Sequence, residues 1–281
     1  MTALVFVPPA LMLFTLFVIL PMGEAAWYSV FNWNGMGEPS RFIDFRNFQQ
    51  ALSHPVFRQA FVNNLLIVLV SLAVQLPLAL AMALLLAGRF AGAFTFRMVF
   101  FLPFILADVA AGLIWRFIFD GDFGPLSHFI QWLGYPAYHI LADQDLAIAT
   151  VLTVIVWKYF GFHMMLYIAG LQSIDRSLYE AAAIDGANRW QSFWHVTLPQ
   201  LGPMIRISVF FALVGSLQVF DVIVPLTGGG PLDSTHTMVS YLYTFGVGRM
   251  RVGFGSAVGV ILFVICIFVA FGYKRWFMRD D

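Results

Sequence analysis

Six long apolar stretches dominate this 281-residue chain and limit what it can fold into. A helix needs about 20 apolar residues to cross the hydrocarbon core of a bilayer, and each stretch reaches that length. In lipid the backbone must satisfy its own hydrogen bonds, which a helix does within one segment. The pattern predicts an all-α membrane protein, a single domain over residues 1–281 with six transmembrane helices. The predicted spans cover roughly residues 3–22, 60–87, 98–119, 146–171, 204–226 and 254–273.

The composition supports this class and excludes others. Charged residues make up 11% of the chain and hydrophobic residues 60%, whereas soluble domains carry about 25% charged residues. The formal net charge is zero, so nothing indicates nucleic-acid binding. Cys266 is the one cysteine, which excludes an internal disulfide and a cysteine-based metal site. We predict no metal site in this chain.

Basic residues between the predicted spans set the expected orientation. With the N-terminus in the cytoplasm, eight Lys and Arg residues fall on the cytoplasmic side and six on the outer side. Because cytoplasmic loops carry the excess of basic residues, we expect a multi-pass protein of the cytoplasmic (inner) membrane with both termini inside. The cytoplasmic set is Arg89, Arg97, Arg176, Arg189, Arg206, Lys274, Arg275 and Arg279, and the outer set is Arg41, Arg46, Arg58, Arg116, Arg249 and Arg251.

The loop between the fourth and fifth predicted spans, residues 173–203, is predicted to contain a short alanine-rich helix over 177–187. Ser177 and Glu180 have the spacing of a capping box, in which each side chain bonds the other residue's backbone N–H. Gly186 then provides the left-handed turn that ends the helix. The residues predicted to share one face of this helix are Leu178, Ala181, Ala182 and Asp185.

A second helix is expected to begin near Asn188 and to end at Leu198-Pro199, because proline lacks the N–H that a helix interior uses. Pro203 is then expected in the first turn of the fifth span, where proline is tolerated. An alanine face lets the backbone of another protein approach closely. We interpret the loop as a docking surface for a soluble partner, with an ordinary interfacial loop as the alternative.

This loop resembles the "EAA" loop by which the membrane subunits of ABC importers contact their ATPases. The matching residues are Glu180-Ala181-Ala182, Asp185-Gly186-Ala187, Phe193 and Leu198-Pro199. Residues 169–174 and the outer segment Thr227-Gly228-Gly229-Gly230-Pro231 also look like those of sugar-importer permeases. The whole chain resembles the ABC-type carbohydrate importer permeases, the binding-protein-dependent family that includes the maltose and glycerol-phosphate permeases, in its six-span form.

This resemblance implies a type I ABC importer permease fold and a machine with several kinds of subunit. The expected partners are a second homologous permease, a dimer of ATPase subunits and an extracytoplasmic solute-binding protein that delivers a sugar or sugar-like substrate. ATP and Mg are expected on the partner ATPase, so we predict no cofactor on this chain. The residues implied to couple the chain to the ATPase are Glu180, Ala181, Ala182, Asp185, Gly186 and Ala187.

Ionisable residues inside the predicted spans are candidates for the solute pathway, because charge in a membrane is costly. By similarity to maltose-type permeases, the neighbourhood of Lys158 falls where sugar contacts are made. Its aromatic neighbours are expected to stack on a sugar ring while Lys158 donates hydrogen bonds, so Lys158→Ala is expected to alter transport more than assembly. The predicted pathway residues are Lys158, Tyr159, Phe162, Ser216 and Asp221.

Structural roles for these ionisable residues stay open. Lys158 can instead form an internal ion pair with Asp108 or Asp221, or extend along its helix towards an interface. Asp221 lies close to the outer end of the fifth predicted span, which favours a structural role for it.

Other function classes have less support. No phosphate-binding Gly-Lys-Ser/Thr motif is present and we find no catalytic residues, so we expect no enzyme activity in this chain. The alternative function is a stand-alone secondary carrier that uses Lys158, Asp108 and Asp221, although the absence of an internal repeat argues against it. A membrane-embedded enzyme is a third possibility. For an importer, glycerol phosphate, a disaccharide, a polyol or a sulfonated sugar all suit.

Overall fold

A computed structural model describes the backbone of residues 2–88 and 90–277, with side chains from residue 6 onwards. Arg89 and Arg279, which entered the charge count, lie outside the described residues. Within the described ranges, five helices have the length and apolar character of a membrane span, and a bent helix pair provides a sixth. This confirms the predicted all-α membrane fold. We call Phe6–Tyr28, Pro55–Leu86, Gln144–Ser173, Arg189–Gln218 and Val252–Phe277 the first, second, fourth, fifth and sixth spans.

The third span is broken, which corrects the prediction of one continuous helix over 98–119. A first half-helix, Ala93–Ile105, and a second half-helix, Asp108–Ile118, meet at an angle of 98°. Leu106 and Ala107 between them have ψ values of 141° and 137°, which are extended rather than helical. The break leaves backbone carbonyls at the end of the first half-helix without helical partners, and these must be satisfied elsewhere.

Three spans contain one widened turn directly before a Leu-Pro pair. A proline inside a helix removes one hydrogen bond and crowds the carbonyl four residues earlier. The π-helical turn adds one residue at this point, which relieves the crowding and lets the helix continue. The turns are Thr15–Ile19, Ser71–Gln75 and Phe193–Thr197, followed by Leu20-Pro21, Leu76-Pro77 and Leu198-Pro199.

The fifth span therefore differs from its predicted bounds of 204–226. The helix passes through Leu198-Pro199 instead of ending there, so the prediction of a separate second helix is wrong. Pro203 lies in the helix interior and not in its first turn. The helix ends at Gln218, which places Asp221 in the segment that follows it.

The fourth span is the central helix of the bundle, and half of the residues in its most apolar window are buried. It packs against the second span and the first half-helix through a cluster that includes Ala79, Met164 and Tyr167. Gly161 permits this packing, because a β-carbon there would overlap the backbone carbonyl of Phe100. The close contact fixes the first half-helix beside the middle of the fourth span.

Candidate functional site

A cavity of about 230 Å³ lies among the second, third, fourth and fifth spans. Its wall combines aromatic rings with hydroxyl, amide, imidazole and carboxylate groups, the mixture expected of a site for a polar organic solute. The lining residues are Ser71, Gln75, Phe104, Asp108, Ile155, Tyr159, Phe162, His163, Phe211, Ala212, Gly215, Ser216, Gln218, Val219, Phe220 and Asp221.

The break in the third span forms part of this cavity wall. Phe104, just before the break, stacks on Phe162 with ring centroids 4.8 Å apart and an interplanar angle of 25°. Phe211 of the fifth span packs edge-on against Phe162 at 5.8 Å. Asp108, just after the break, lies on the same wall. Residues from both sides of the break therefore line the cavity.

Lys158 lies behind the wall and holds the break together. Its side chain is only 2% exposed, and Nζ lies 3.0 Å from Oδ1 of Asp108. Nζ also donates to the backbone carbonyl oxygens of Pro103, Phe104 and Leu106 at 3.0, 3.2 and 2.5 Å. The ammonium has only three N–H groups for these four acceptors, so none of them is left for a solute. The alternative of an ion pair with Asp108 is confirmed, and the expectation that Lys158 donates to a solute is wrong for this conformation.

The other predicted pathway residues do line the cavity. Tyr159, Phe162, Ser216 and Asp221 are all part of its wall. The Tyr159 hydroxyl donates to Oδ1 of Asp108 at 3.2 Å. Ser216 is buried, and its hydroxyl donates to that of Ser71 at 3.3 Å.

Several lining residues lie outside the predicted set of pathway residues. Phe211 carries no sequence signal, because nothing in an apolar helix marks which face meets a cavity, whereas Gln75 is itself a polar residue inside an apolar span. His163 lines the wall while its Nδ1 lies 2.7 Å from the Ser208 hydroxyl. Asp108 was predicted as a possible ion-pair partner of Lys158 and as a residue of the alternative carrier, but not as a pathway residue of an importer. Pro103 beside it was the available signal, since proline often accompanies a helix break.

The segment after the fifth span forms a sharp turn at its glycines. Gly228 and Gly229 have φ values of 62° and 90°, in the region that glycine adopts without strain. The turn is attached to the second span by Asn63, whose amide donates to the backbone oxygens of Ser234 and His236 at 2.7 and 2.8 Å. These bonds connect this segment to the helices around the cavity.

The short helix in the loop between the fourth and fifth spans covers Arg176–Ile184, and we call it the loop helix. Its N-cap is Asp175, whose carboxylate accepts from the Ser177 backbone N–H at 2.9 Å. The predicted capping box of Ser177 and Glu180 is therefore wrong, because Ser177 already lies inside the helix. The hydrogen bond from the Ser177 backbone lowers the pKa of the Asp175 carboxyl, in keeping with an N-cap.

The C-terminal end of the loop helix is also closed. Gly186 has φ 79°, which confirms the predicted left-handed turn. The backbone N–H of Ala187 donates to the Ala182 carbonyl at 2.9 Å, as in a Schellman motif. Asn188 then begins the fifth span with a capping box to Gln191. The two helices are joined by a turn that leaves little conformational freedom.

The outward surface of the loop helix is apolar and exposed. Ile184 is 86% exposed, and Leu178 and Ala181 are exposed as well. On the opposite side, the Tyr179 hydroxyl and Oγ1 of Thr197 lie 3.0 Å apart, which attaches the helix to the fifth span. A shallow cleft between the two helices is lined by Ala182, Asp185, Gly186, Ala187, Gln191, Ser192, His195 and Val196. Predicted coupling residues thus lie on both the helix and the cleft.

Comparisons with known proteins agree with this architecture. The family model described as "binding-protein-dependent transport system inner membrane component" matches residues 51–280. The sulfoquinovosyl glycerol transport system permease protein of Agrobacterium fabrum is 32% identical over 99% of this chain and 91% of its own length. The sn-glycerol-3-phosphate transport system permease protein of Pectobacterium atrosepticum is 32% identical over 94% of this chain and 89% of its own length.

A solved structure supports the fold. A chain of the bacterial alginate ABC transporter, in complex with an alginate pentasaccharide-bound periplasmic protein, aligns with a TM-score of 0.85 and 22% identity. The alignment covers 96% of this chain and 92% of that chain. These comparisons support the importer interpretation and not the secondary carrier. The chain belongs to the family of inner membrane components of binding-protein-dependent transport systems, and it is a membrane-spanning permease subunit of an ABC importer.

Proposed function

We propose that the chain forms half of the translocation pathway of an ATP-driven importer and receives the motion of a partner ATPase through the loop helix. The observation that carries this proposal is a helix fixed at both ends that presents an exposed apolar surface. Asp175 and Gly186 close its ends, and Ile184 is 86% exposed. An exposed apolar surface on an otherwise anchored element is typical of a protein contact.

The proposed assembly contains this chain, a second homologous permease, a dimer of ATPase subunits and an extracytoplasmic solute-binding protein. ATP and Mg bind to the ATPase subunits, and both termini and the loop helix lie on the cytoplasmic side. ATP binding changes the ATPase surface that contacts Glu180, Ala181 and Ala182. Because the two ATPase states contact one rigid helix differently, they shift the permease between its conformations.

Substitution at Ile184 tests the docking surface. We expect Ile184→Glu to reduce the ATPase that co-purifies with tagged chain in mild detergent by about tenfold or more, because a carboxylate replaces an apolar contact. The second permease should remain bound. Leu232→Glu is the matched control, since Leu232 is 85% exposed in the segment that follows the fifth span. If Ile184→Glu retains the ATPase, or the wild-type chain purifies alone and still transports in liposomes, the proposed coupling is wrong.

We further propose that the solute is uncharged and rich in hydroxyl groups, such as a disaccharide or a polyol. Two carboxylates, Asp108 and Asp221, border the cavity, and among the described residues that line it none is Lys or Arg. The charge of Lys158 is balanced by Asp108. The net charge at this wall is therefore that of the Asp221 carboxylate, and a phosphate or sulfonate group would meet a like charge there, which disfavours an anion. The aromatic rings and uncharged polar groups suit a sugar face and its hydroxyls.

Uptake measurements separate the two solute classes. Liposomes containing the purified complex and its binding protein are supplied with radiolabelled maltose, sorbitol or glycerol 3-phosphate. We expect saturable, ATP-dependent uptake of an uncharged compound. Asp221→Asn should raise the ratio of glycerol 3-phosphate uptake to uptake of that uncharged compound. Saturable uptake of glycerol 3-phosphate alone would exclude the proposed solute class while leaving the importer assignment intact.

A further inference from the structure

Asp108 has an unusual position at the break of the third span. It is the first residue of the second half-helix, where the positive end of the helix dipole favours a carboxylate. Its side chain is 34% exposed and borders the cavity. A carboxylate at this point is both part of the fold and accessible to a solute.

The hydrogen bonds of Asp108 leave acceptor capacity unused. Among the described residues, the side-chain partners of this carboxylate are Lys158 Nζ at 3.0 Å and the Tyr159 hydroxyl at 3.2 Å, and both contact Oδ1. An ionised carboxylate offers about four lone-pair positions over its two oxygens. Oδ2 therefore retains its capacity to accept a hydrogen bond from a group in the cavity.

The same two partners fix the orientation of the carboxylate. Lys158 is itself held by the carbonyl oxygens of Pro103, Phe104 and Leu106, so its ammonium has little freedom to move. Tyr159 holds Oδ1 from the fourth span. An oriented acceptor loses less entropy on binding than a mobile one, which makes the site selective for a donor at one place.

We propose that Asp108 is a solute-binding residue whose Oδ2 accepts a hydrogen bond from a hydroxyl of the transported compound, with Lys158 and Tyr159 as positioning residues. The proposal rests on the proposed function and deepens it. Hydrogen bonds to a charged group are stronger than neutral ones, so Asp108 distinguishes a hydroxyl donor from a solute that presents only acceptors or negative charge. Stacking on Phe104 and Phe162 lies beside this hydrogen bond in the cavity wall.

Two double variants test the proposal, because removing one partner of a buried ion pair destabilises a protein while removing both is better tolerated. The apolar double variant combines Asp108→Leu with Lys158→Met. The amide double variant combines Asp108→Asn with Lys158→Met and keeps a side-chain oxygen for the cavity in place of Oδ2, because the amide NH2 can take the position of Oδ1 and donate to the Tyr159 hydroxyl. Both variants remove the same two charges, so they differ in the acceptor at residue 108.

The readout is the KM and kcat of ATP-dependent uptake in liposomes with maltose, sorbitol and glycerol 3-phosphate as probes. For the transported uncharged probe we expect the apolar double variant to raise KM about tenfold or more, with a smaller change in kcat. The amide double variant should raise KM by less than about fivefold, because it retains an oxygen acceptor. A matched rise in both variants, or none in either, would overturn the role of Asp108 as an acceptor.

The outcomes distinguish this proposal from the proposed function. If wild type transports an uncharged probe and the apolar double variant does so with the wild-type KM, Asp108 does not bind solute and the importer assignment stands. If wild type transports only glycerol 3-phosphate, the proposed solute class is wrong. In that case an unchanged or lower KM for glycerol 3-phosphate in the apolar double variant also overturns the acceptor role.

Discussion

Replacing Lys158 alone with methionine is expected to eliminate most of the yield of folded chain in the membrane. The substitution leaves the carbonyl oxygens of Pro103, Phe104 and Leu106 without their shared donor and leaves Asp108 without its cation. Breaking a buried ion pair by removing one partner costs about 3–5 kcal/mol. Because Asp108 is one-third exposed, we expect the lower end of this range, about 3 kcal/mol, which is a large part of the stability of most proteins.

The measurement is the yield and thermal midpoint of the detergent-solubilised complex by fluorescence-detected size-exclusion chromatography. Lys274→Met is the control, since Lys274 is exposed near the end of the sixth span. Adding Asp108→Leu to Lys158→Met should recover part of the yield, because no unpaired carboxylate remains. This reverses the sequence-based expectation that Lys158 affects transport more than assembly. A wild-type yield and midpoint for Lys158→Met would contradict the role of Lys158 at the break.

Replacing Gly186 with proline is expected to reduce ATP-dependent uptake to below about a tenth of wild type while the chain still inserts and assembles. Gly186 has φ 79°, whereas proline requires a φ near −65°. Its backbone N–H also donates to the Ala183 carbonyl at 3.1 Å, and proline removes that donor. The turn between the loop helix and the fifth span would change direction, so motion of the ATPase would no longer reach the spans through a fixed connection.

The experiment compares ATP hydrolysis and uptake in the same liposomes. Gly186→Asn is the matched control, because asparagine tolerates the left-handed region better than other residues with side chains. We expect Gly186→Asn to transport within about threefold of wild type, and Gly186→Pro to hydrolyse ATP without proportionate uptake. If uptake and hydrolysis remain coupled in Gly186→Pro, the loop helix does not transmit the motion.

Local sequence signals predicted that the chain has apolar helical spans and a short helix in the loop, because the causes of both are local. Apolar runs of span length must be helical in lipid, whatever their neighbours are. Gly186 ends the loop helix because its left-handed conformation is available to glycine without steric cost. The N-cap was misassigned to Ser177 because Asp175, two residues earlier, is an equally good cap and sequence spacing does not choose between them.

Local rules failed at two places, one because of a local change in the helix and one because of a tertiary contact. Leu198-Pro199 has the form of a helix end, yet a widened turn carries the helix through it, and the fifth span begins ten residues before Pro199, at Arg189. Leu106 and Ala107 are good helix formers, and nothing in their identities predicts extended backbone. The break becomes stable because carbonyl groups that a continuous helix would use internally find a cation on another span.

The sequence by itself determined that this chain is a helical membrane protein with a short helix in the loop between the fourth and fifth spans, and its motifs identified the importer family. The tertiary structure alone decided the role of Lys158, because its acceptors at Pro103, Phe104 and Leu106 lie 52 to 55 residues away in the chain. It also decided that Asp108 faces a cavity with Tyr159 beside it. The apolar character of a span is set residue by residue, whereas the partner of a buried charge depends on which helices pack together.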